Sequence, residues 1–256
     1  MIIFFKKYKY VIYLLVKRHF LLRYRRTKLG YLWTILNPLI MMIVLSLIFS
    51  SILQVPLKDY ALFFFSGMLV WNYFSFSISQ ASNSIIENEA LINKIFLPKV
   101  IFPLCISISL LIDALLGFIP FLLIMIGLGL NINYTLLSIP ISYLIFFFFI
   151  LGINFIVSVA TVFFRDLTYI IPIFLQAVFF LTPILYPVSR INNDFLSYIL
   201  SFNPINIYIN LVRNPILNNR VSEFSDYFIA IILSLLSLSF GLYILNKYKK
   251  LIIYSL

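Results

Sequence analysis

Nine cationic side chains, and no Asp or Glu, precede the first long apolar stretch of this chain. That stretch runs from about Leu29 to Leu53. Positive charge flanking the first membrane helix usually marks the cytoplasmic side of a membrane. The pattern therefore predicts an integral membrane protein whose N-terminus lies in the cytoplasm. The nine cations are Lys6, Lys7, Lys9, Lys17, Arg18, Arg23, Arg25, Arg26 and Lys28.

The composition supports a membrane protein and argues against other classes. Hydrophobic residues make up 63% of the chain and charged residues only 11%, which is too little polar surface for a soluble globule of 256 residues. The net charge of +11 would suit nucleic acid, but the cations flank apolar stretches, where they meet anionic lipid headgroups. We therefore expect no nucleic-acid partner. Cys105 and His19 are the only residues of their types, so we expect neither an intrachain disulfide nor a metal site.

Six stretches reach the length of about 20 mainly apolar residues that a spanning helix needs. They are about Leu29–Leu53, Tyr60–Ala81, Ile101–Leu130, Tyr134–Phe164, Leu167–Leu185 and Tyr227–Leu245. An even number of spans returns the C-terminus to the cytoplasm and places fifteen of the nineteen Lys and Arg on the inner side. We predict an all-α, polytopic membrane protein that forms a single domain over residues 1–256. Spans one to five fall in residues 29–187, and span six with a cytoplasmic tail falls in residues 227–256.

The first 28 residues are too interrupted by charge to cross the membrane. Apolar residues recur there at helical spacing, which is typical of an interfacial helix. These residues are Val11, Leu14, Leu15, Leu21 and Leu22. Arg18 and Arg25 interrupt the apolar face, so we expect a shallow cytoplasmic helix that packs partly on protein.

The segment between spans two and three resembles the start of a helix. Ser84 and Glu87 match a capping box, in which a serine hydroxyl and a glutamate bond reciprocally to orphan backbone N–H groups. Pro98 would stop the helix, which gives a cytoplasmic helix of about twelve residues over Ile85–Phe96. Such a helix suits a docking element for a cytoplasmic partner. The alternative is a solvated connector.

The external stretch from Val188 to Asp226 contains two short apolar pieces, Phe195–Leu200 and Ile205–Val212. Asn203-Pro204 and Asn214-Pro215 are expected to break them. Each piece is too short to span, and irregular backbone at membrane depth is tolerated only when protein or an aqueous cavity surrounds it. We predict two re-entrant helices within residues 188–226. A loop lying on the bilayer is the alternative.

The chain lacks the residue patterns of an enzyme. There is no carboxylate pair suited to acid–base catalysis and no G-x-x-x-x-G-K-[ST] phosphate loop. Asp113 is the one acidic residue in the middle of a predicted span, where a carboxylate costs about 2.5–3.5 kcal/mol on insertion scales. It should therefore face the bundle interior, either on a polar pathway or in a structural hydrogen bond.

Several motifs, taken in order, resemble one transporter family. The stretch Arg23–Trp33 is followed by Asn37-Pro38, and Ser66–Phe74 is followed by Asn83 and Leu91–Lys99. Further along come Phe164–Leu167, Phe180–Pro187 and Asn203-Pro204. Over nearly the whole chain this series is similar to the permease subunit of ATP-binding-cassette exporters for cell-surface polysaccharide, the O-antigen and teichoic-acid exporter group.

The resemblance implies partners and a location. It implies a homodimer in the inner membrane of a bacterium, with each copy docked on a separate subunit that binds ATP and Mg²⁺ and hydrolyses the nucleotide. The chain itself would carry no cofactor. The transported substrate would be an undecaprenyl-diphosphate-linked glycan, as in lipopolysaccharide biosynthesis, moved outward.

The resemblance also assigns roles to residues. The ATPase-coupling helix would contain Ser84, Glu87, Asn88, Glu89, Leu91 and Lys94. Loading of the substrate diphosphate would use Arg23, Arg25 and Arg26, and the translocation path would include Asp113 and Tyr186. The external gate would contain Phe202, Asn203 and Pro204.

Two other functions compete with this interpretation. A drug or small-lipid exporter permease of the same fold shares every feature above. A membrane-embedded glycosyltransferase would need a carboxylate pair at an aqueous loop, and the sequence does not offer one.

Overall fold

The computed structural model is mostly helical over the residues it describes, which are 2–23, 32–95, 97–127, 133–188, 195, 198, 200 and 202–255. No β-strand occurs among them. Short 3₁₀ helices precede α4 and α6, at Ile86–Asn88 and Tyr134–Ser138. The α-helices are α1 (Ile2–Arg23), α2 (Leu32–Leu53), α3 (Leu57–Asn83), α4 (Glu89–Lys94), α5 (Ile101–Gly127), α6 (Ile139–Phe163), α7 (Leu167–Phe180), α8 (Pro204–Leu217), α9 (Phe224–Tyr248) and α10 (Leu251–Ser255).

Four of the described helices are long and apolar enough to cross a membrane, which supports the predicted class of protein. They are α3, α5, α6 with its leading 3₁₀ turn, and α9. The predicted third and sixth spans correspond to α5 and α9 within a few residues. The fifth predicted span is shorter than expected, because α7 ends at Phe180 after 14 residues. At 1.5 Å per residue this helix covers roughly 21 Å, less than the hydrocarbon core.

The early end of α7 has a local cause. Pro183 lacks an N–H group and disfavours helical backbone at the residue before it. Residues 181–186 accordingly leave the helix in a series of turns and bends. The next helix with described bounds is α8, whose first residue is Pro204.

Helices α6 and α9 form the closest helix pair in the fold. A Cβ atom added at Gly152 would overlap the backbone of Ser237, and one added at Gly241 would overlap the backbone of Gly152. Ser234 and Ser237 on α9 donate hydrogen bonds across the pair, to the carbonyls of Ile145 at 2.9 Å and of Phe149 at 2.8 Å. Small residues and interhelical hydroxyls of this kind allow close packing of membrane helices.

A buried amide joins three of the candidate spans. Asn154 on α6 donates through Nδ2 to the hydroxyl oxygens of Ser77 on α3 and Ser107 on α5, each at 2.8 Å. All three side chains are fully buried. Interhelical hydrogen bonds between polar side chains help to hold membrane helices together. The three hydrogen-bonded side chains therefore hold α3, α5 and α6 in register.

The predicted N-terminal helix is present as α1, and part of it packs on protein. Ile12 packs on α5 beside Leu104 and Cys105, whereas Leu14 and Leu21 are exposed. Leu14 and Leu21 belong to the apolar set predicted to lie at the membrane surface, and Ile12, which was not in that set, makes the contact with α5.

Candidate functional site

The best-defined site surrounds residues 181–186, which we call the junction segment. Backbone carbonyls that leave a helix in apolar surroundings need hydrogen-bond donors from elsewhere. Three of these carbonyls receive such donors from α3, from α8 or from the residue that caps α8. The junction segment is therefore held by side chains from both helices.

Asn203 ties the start of α8 to the junction segment. Its Nδ2 donates to the carbonyl of Leu181 at 3.1 Å and to the hydroxyl oxygen of Thr182 at 2.8 Å. Its Oδ1 accepts from the N–H of Ile205 at 3.0 Å, which caps α8, and Pro204 occupies the first turn. The helix boundary predicted at Asn203-Pro204 is confirmed, and one amide both caps α8 and anchors the junction segment.

Arg213, in the middle of α8, holds the next carbonyl. Its Nη2 donates to the carbonyls of Pro183 at 3.0 Å and Phe63 at 3.4 Å, and its Nε donates to the hydroxyl of Ser66 at 3.5 Å. The guanidinium carbon lies 3.9 Å from the centre of the Phe63 ring, a cation–π distance. Only 7% of Arg213 is exposed. One side chain thus joins α8, α3 and the junction segment.

Two tyrosines make the remaining hydrogen bonds that hold the junction segment. Tyr60, near the start of α3, donates its hydroxyl to the carbonyl of Leu185 at 2.8 Å. Tyr186, predicted to line the path, donates its hydroxyl to the carbonyl of Phe180, the last residue of α7. Tyr186 is half-buried, so in this structure it secures the end of α7 while keeping one surface open.

The predicted break at Asn214-Pro215 is wrong, because α8 continues through it to Leu217. A proline inside a helix leaves the carbonyl four residues earlier without its partner. Here the hydroxyl of Ser142 on α6 shares its proton between that carbonyl, on Leu211 at 3.4 Å, and the carbonyl of Ser138 at 3.1 Å. The tertiary contact compensates for the proline and lets the helix continue.

The predicted gate residue Phe202 lies just before α8. Its ring is 69% exposed and packs on Tyr198 with centroids 4.6 Å apart. Of the three predicted gate residues, which are consecutive in the chain, Asn203 is the one that bonds to the junction segment.

A groove of about 430 Å³ runs between α3 and α7. Trp71 and Phe179 supply aromatic faces, with ring centroids 5.5 Å apart. Its polar lining consists of Asn72, Ser75, Ser79 and Gln176. Neither of the predicted path residues lines this groove: Asp113 lies midway along α5 and is partly buried, and Tyr186 belongs to the junction segment. Amide and hydroxyl groups beside aromatic faces suit contact with sugars.

The predicted cytoplasmic segment is ordered, but the capping box is not formed. Ser84 continues the helical backbone of α3, so its hydroxyl donates back to the carbonyl of Ala81 at 2.6 Å. Asn88 donates through Nδ2 to the carbonyl of Ser84 at 2.8 Å. In place of one helix of about twelve residues, a 3₁₀ turn and the six-residue α4 follow each other.

The six predicted coupling residues divide into two groups. Ser84 is buried, and Asn88 is half-buried and bonds within the segment. Glu87 and Lys94 are exposed, and Glu89 and Leu91 are half-exposed. Only the second group offers side chains to a partner.

The segment also lies beside α1, and a small cavity of about 100 Å³ separates part of the two elements. Arg18 and His19 on α1 line it together with Glu87, Asn88 and Cys105. Partial burial raises the pKa of the Glu87 carboxyl, and the positive charge of Arg18 offsets part of that rise. The predicted docking element and the N-terminal helix are therefore in electrostatic contact.

The residues predicted to load the diphosphate are only partly within the structure. Arg23 is the last residue of α1, and Arg25 and Arg26 lie outside the described residues.

Sequence reasoning overlooked Arg213 and Tyr60. The predicted topology leaves Arg213 among the four of nineteen Lys and Arg that lie outside, although a cation directly after the apolar piece Ile205–Val212 requires buried partners if that piece packs on protein. The sequence gives no indication that Tyr60 bonds to the junction segment, because a tyrosine at the end of a span most often belongs to an interfacial belt.

The chain belongs to the ABC-2 type transporter family, whose profile matches residues 10–217. Among its relatives is an O-antigen export system permease protein RfbA from Myxococcus xanthus, 31% identical over 200 residues, or 78% of this chain and 77% of that protein. Another RfbA, from Klebsiella pneumoniae, is 30% identical over 235 residues, or 89% and 87% of the two chains. The polysialic acid transport protein KpsM of Escherichia coli is 27% identical over 226 residues, or 86% of each chain.

Proposed function

We propose that this chain is the membrane subunit of an ATP-driven exporter that moves a lipid-linked, O-antigen-type polysaccharide outward across the cytoplasmic membrane. The observation that carries the proposal is about 30% identity to O-antigen export permeases over most of both chains. An undecaprenyl-diphosphate carrier follows from the same resemblance. The groove between α3 and α7 adds aromatic and amide surfaces of the kind that bind sugar.

The proposed topology has six spans with both termini in the cytoplasm. Helices α3, α5, α6 and α9 are the four long candidates, and α2 and α7 would be the other two. With α7 only 14 residues long, the junction segment would complete its crossing inside protein. Helix α8 and the residues before it would then form the re-entrant pair on the outer side.

The proposed cytoplasmic partner is a separate ATPase subunit that holds ATP and Mg²⁺. Its docking surface on this chain would be the exposed side of the segment containing Glu87 and α4. The contact of this segment with α1 would transmit its movement to the N-terminal helix, where Arg23, Arg25 and Arg26 would attract the substrate diphosphate.

The proposed assembly is a homodimer that encloses the glycan path. Helix α7 exposes large apolar side chains on the side away from α3, including Ile173 and Phe174. The groove between α3 and α7 is open along one side. A second copy covering this region would turn two open grooves into one conduit.

The test is complementation of a host from which this chain has been deleted. Surface glycan should disappear on deletion and return with the intact chain. Accumulation of undecaprenyl-diphosphate-linked glycan inside the deleted cells would identify the blocked step as export. Normal surface glycan without the chain would refute the proposal.

A further inference from the structure

Arg213 is a buried cation whose polar contacts, within the described residues, are all with neutral groups. Two backbone carbonyls and one hydroxyl accept its hydrogen bonds, and one phenyl ring lies against its plane. A buried charge without a paired carboxylate is expensive, and a well-packed apolar side chain is often at least as stabilising. Stability alone therefore gives little reason for an arginine at this position.

The geometry of the contacts gives a better reason. The guanidinium is a rigid planar fork with five donors. Arg213 uses this fork to hold two separate pieces of chain, since Phe63 and Ser66 belong to α3 and Pro183 belongs to the junction segment. An apolar side chain could fill the space, but it could not fix the junction segment against α3.

Gly67 provides the room for this arrangement. A Cβ atom added at Gly67 would lie 2.8 Å from Nη2 of Arg213 and 3.3 Å from Cγ2 of Ile184. Both distances are shorter than ordinary van der Waals contact. The close approach of α3, the guanidinium and the junction segment thus depends on a missing side chain.

We propose that Arg213 is a positioning residue that latches the junction segment to α3 while the conduit is closed and dry. This inference rests on the proposed function, and it takes the predicted external gate at Phe202, Asn203 and Pro204 to include the junction segment, to which Asn203 is hydrogen-bonded. While the site is dry, the guanidinium and the Pro183 carbonyl have only protein groups as partners, so separating them is costly. Water entering an open conduit would solvate both groups, and separation would then cost little. Opening of the gate and wetting of the conduit are therefore cooperative.

The test compares Arg213→Met, Arg213→Lys and Gly67→Ala in full-length chain reconstituted with its ATPase partner, without glycan. The readout is potassium leak from liposomes in the absence of ATP. Arg213→Met should raise the leak about tenfold, as for the loss of one hydrogen bond to a charged group. Arg213→Lys keeps one donor without the fork and should leak at an intermediate level. Gly67→Ala should leak although the arginine is present.

The controls separate the latch from folding and from the gate itself. Arg220→Met removes an exposed cation just after α8 and should leave the leak unchanged. Thermal unfolding of each purified variant reports the folded fraction. Asn203→Ala combined with Pro204→Ala disturbs the same gate without touching Arg213.

The outcomes are distinguishable. If folded Arg213→Met and Gly67→Ala leak no more than the intact chain while the Asn203/Pro204 variant does leak, the latch is refuted and the gate stands. If none of these variants leaks, both the latch and the proposed gate are refuted. Leak that follows only the unfolded fraction would make Arg213 a folding residue and would also overturn the inference.

Discussion

Gly241 on α9 faces Gly152 on α6 so closely that a methyl group at either position would overlap the opposite backbone. We predict that Gly152→Ala and Gly241→Ala each destabilise the protein by about 1–3 kcal/mol or more, as for overpacking of a dense core. Thermal unfolding in detergent measures the effect. Gly117→Ala is the matched control, because its new Cβ would meet nothing closer than 3.8 Å and alanine favours helix. Equal stability of all three variants would contradict the close packing.

Asn203 performs two tasks, and substitutions can separate them. Asn203→Ala removes both the cap of α8 and the tie to the junction segment, and it should cost about 0.5–2 kcal/mol for the cap alone. Asn203→Asp restores the cap acceptor but cannot donate to the carbonyl of Leu181. We predict that Asp recovers stability but leaks potassium as Ala does. Normal leak with Asp would show that only the cap matters.

The groove between α3 and α7 should affect transport more than folding. Gln176→Leu and Asn72→Leu remove amide groups from its lining. We expect surface glycan export to fall about threefold to tenfold for each, as for hydrogen bonds worth about 0.5–1.5 kcal/mol. Asn246→Leu removes an exposed amide near the end of α9, outside the groove, and is the control that should export normally. Unchanged export with both amides removed would exclude this groove from the path.

The exposed charge of Glu87 should be needed for docking of the ATPase. Glu87→Lys combined with Glu89→Lys should reduce co-purification of the partner and uncouple ATP hydrolysis from export, while membrane insertion is unaffected. Glu223→Lys is the matched control, since it reverses an exposed carboxylate just before α9, on the proposed external side. Wild-type co-purification and surface glycan in the double variant would refute the docking surface.

Glu87 should also make stability depend on pH. Its pKa is raised in the folded protein, chiefly by partial burial, so the folded state holds the proton more tightly than the unfolded chain does. The stability that protonation confers is fully present below the usual pKa of 4.5 and is lost as the pH rises through the raised value. Glu87→Gln should therefore unfold at a slightly higher temperature than the intact chain at neutral pH, with no difference in acid. A difference that grows in acid would contradict the direction of the shift.

The long apolar elements could be predicted because their signal is local. Helices α5 and α9 follow directly from runs of apolar residues, and the boundary at Asn203-Pro204 follows from the chemistry of proline. The structure of the short segment after α3 could not be predicted in the same way. Ser84 bonds backward because α3 extends to Asn83, and no local pattern reveals where that helix stops.

Arg213 and Pro215 show why contacts between distant residues could not be predicted from the sequence. The role of each depends on a partner far away in sequence: the carbonyl of Pro183 for Arg213, and the hydroxyl of Ser142 for the gap that Pro215 creates at Leu211. Such pairs exist only after the helices have packed. Residue types and spacing predict that a partner is needed but do not identify it.

The dependence of the junction segment on α8 has a consequence for how the protein is made. During synthesis, Tyr60 has already emerged when residues 181–186 leave the ribosome, whereas Asn203 and Arg213 have not. Until they follow, the carbonyls of Leu181 and Pro183 lack their donors, and unpaired backbone is poorly tolerated in lipid. Insertion of the segment at 181–186 is therefore completed only after α8 has followed it into the membrane. We expect a product truncated ahead of α8, in which the carbonyls of Leu181 and Pro183 stay unpaired, to be degraded by cellular quality control.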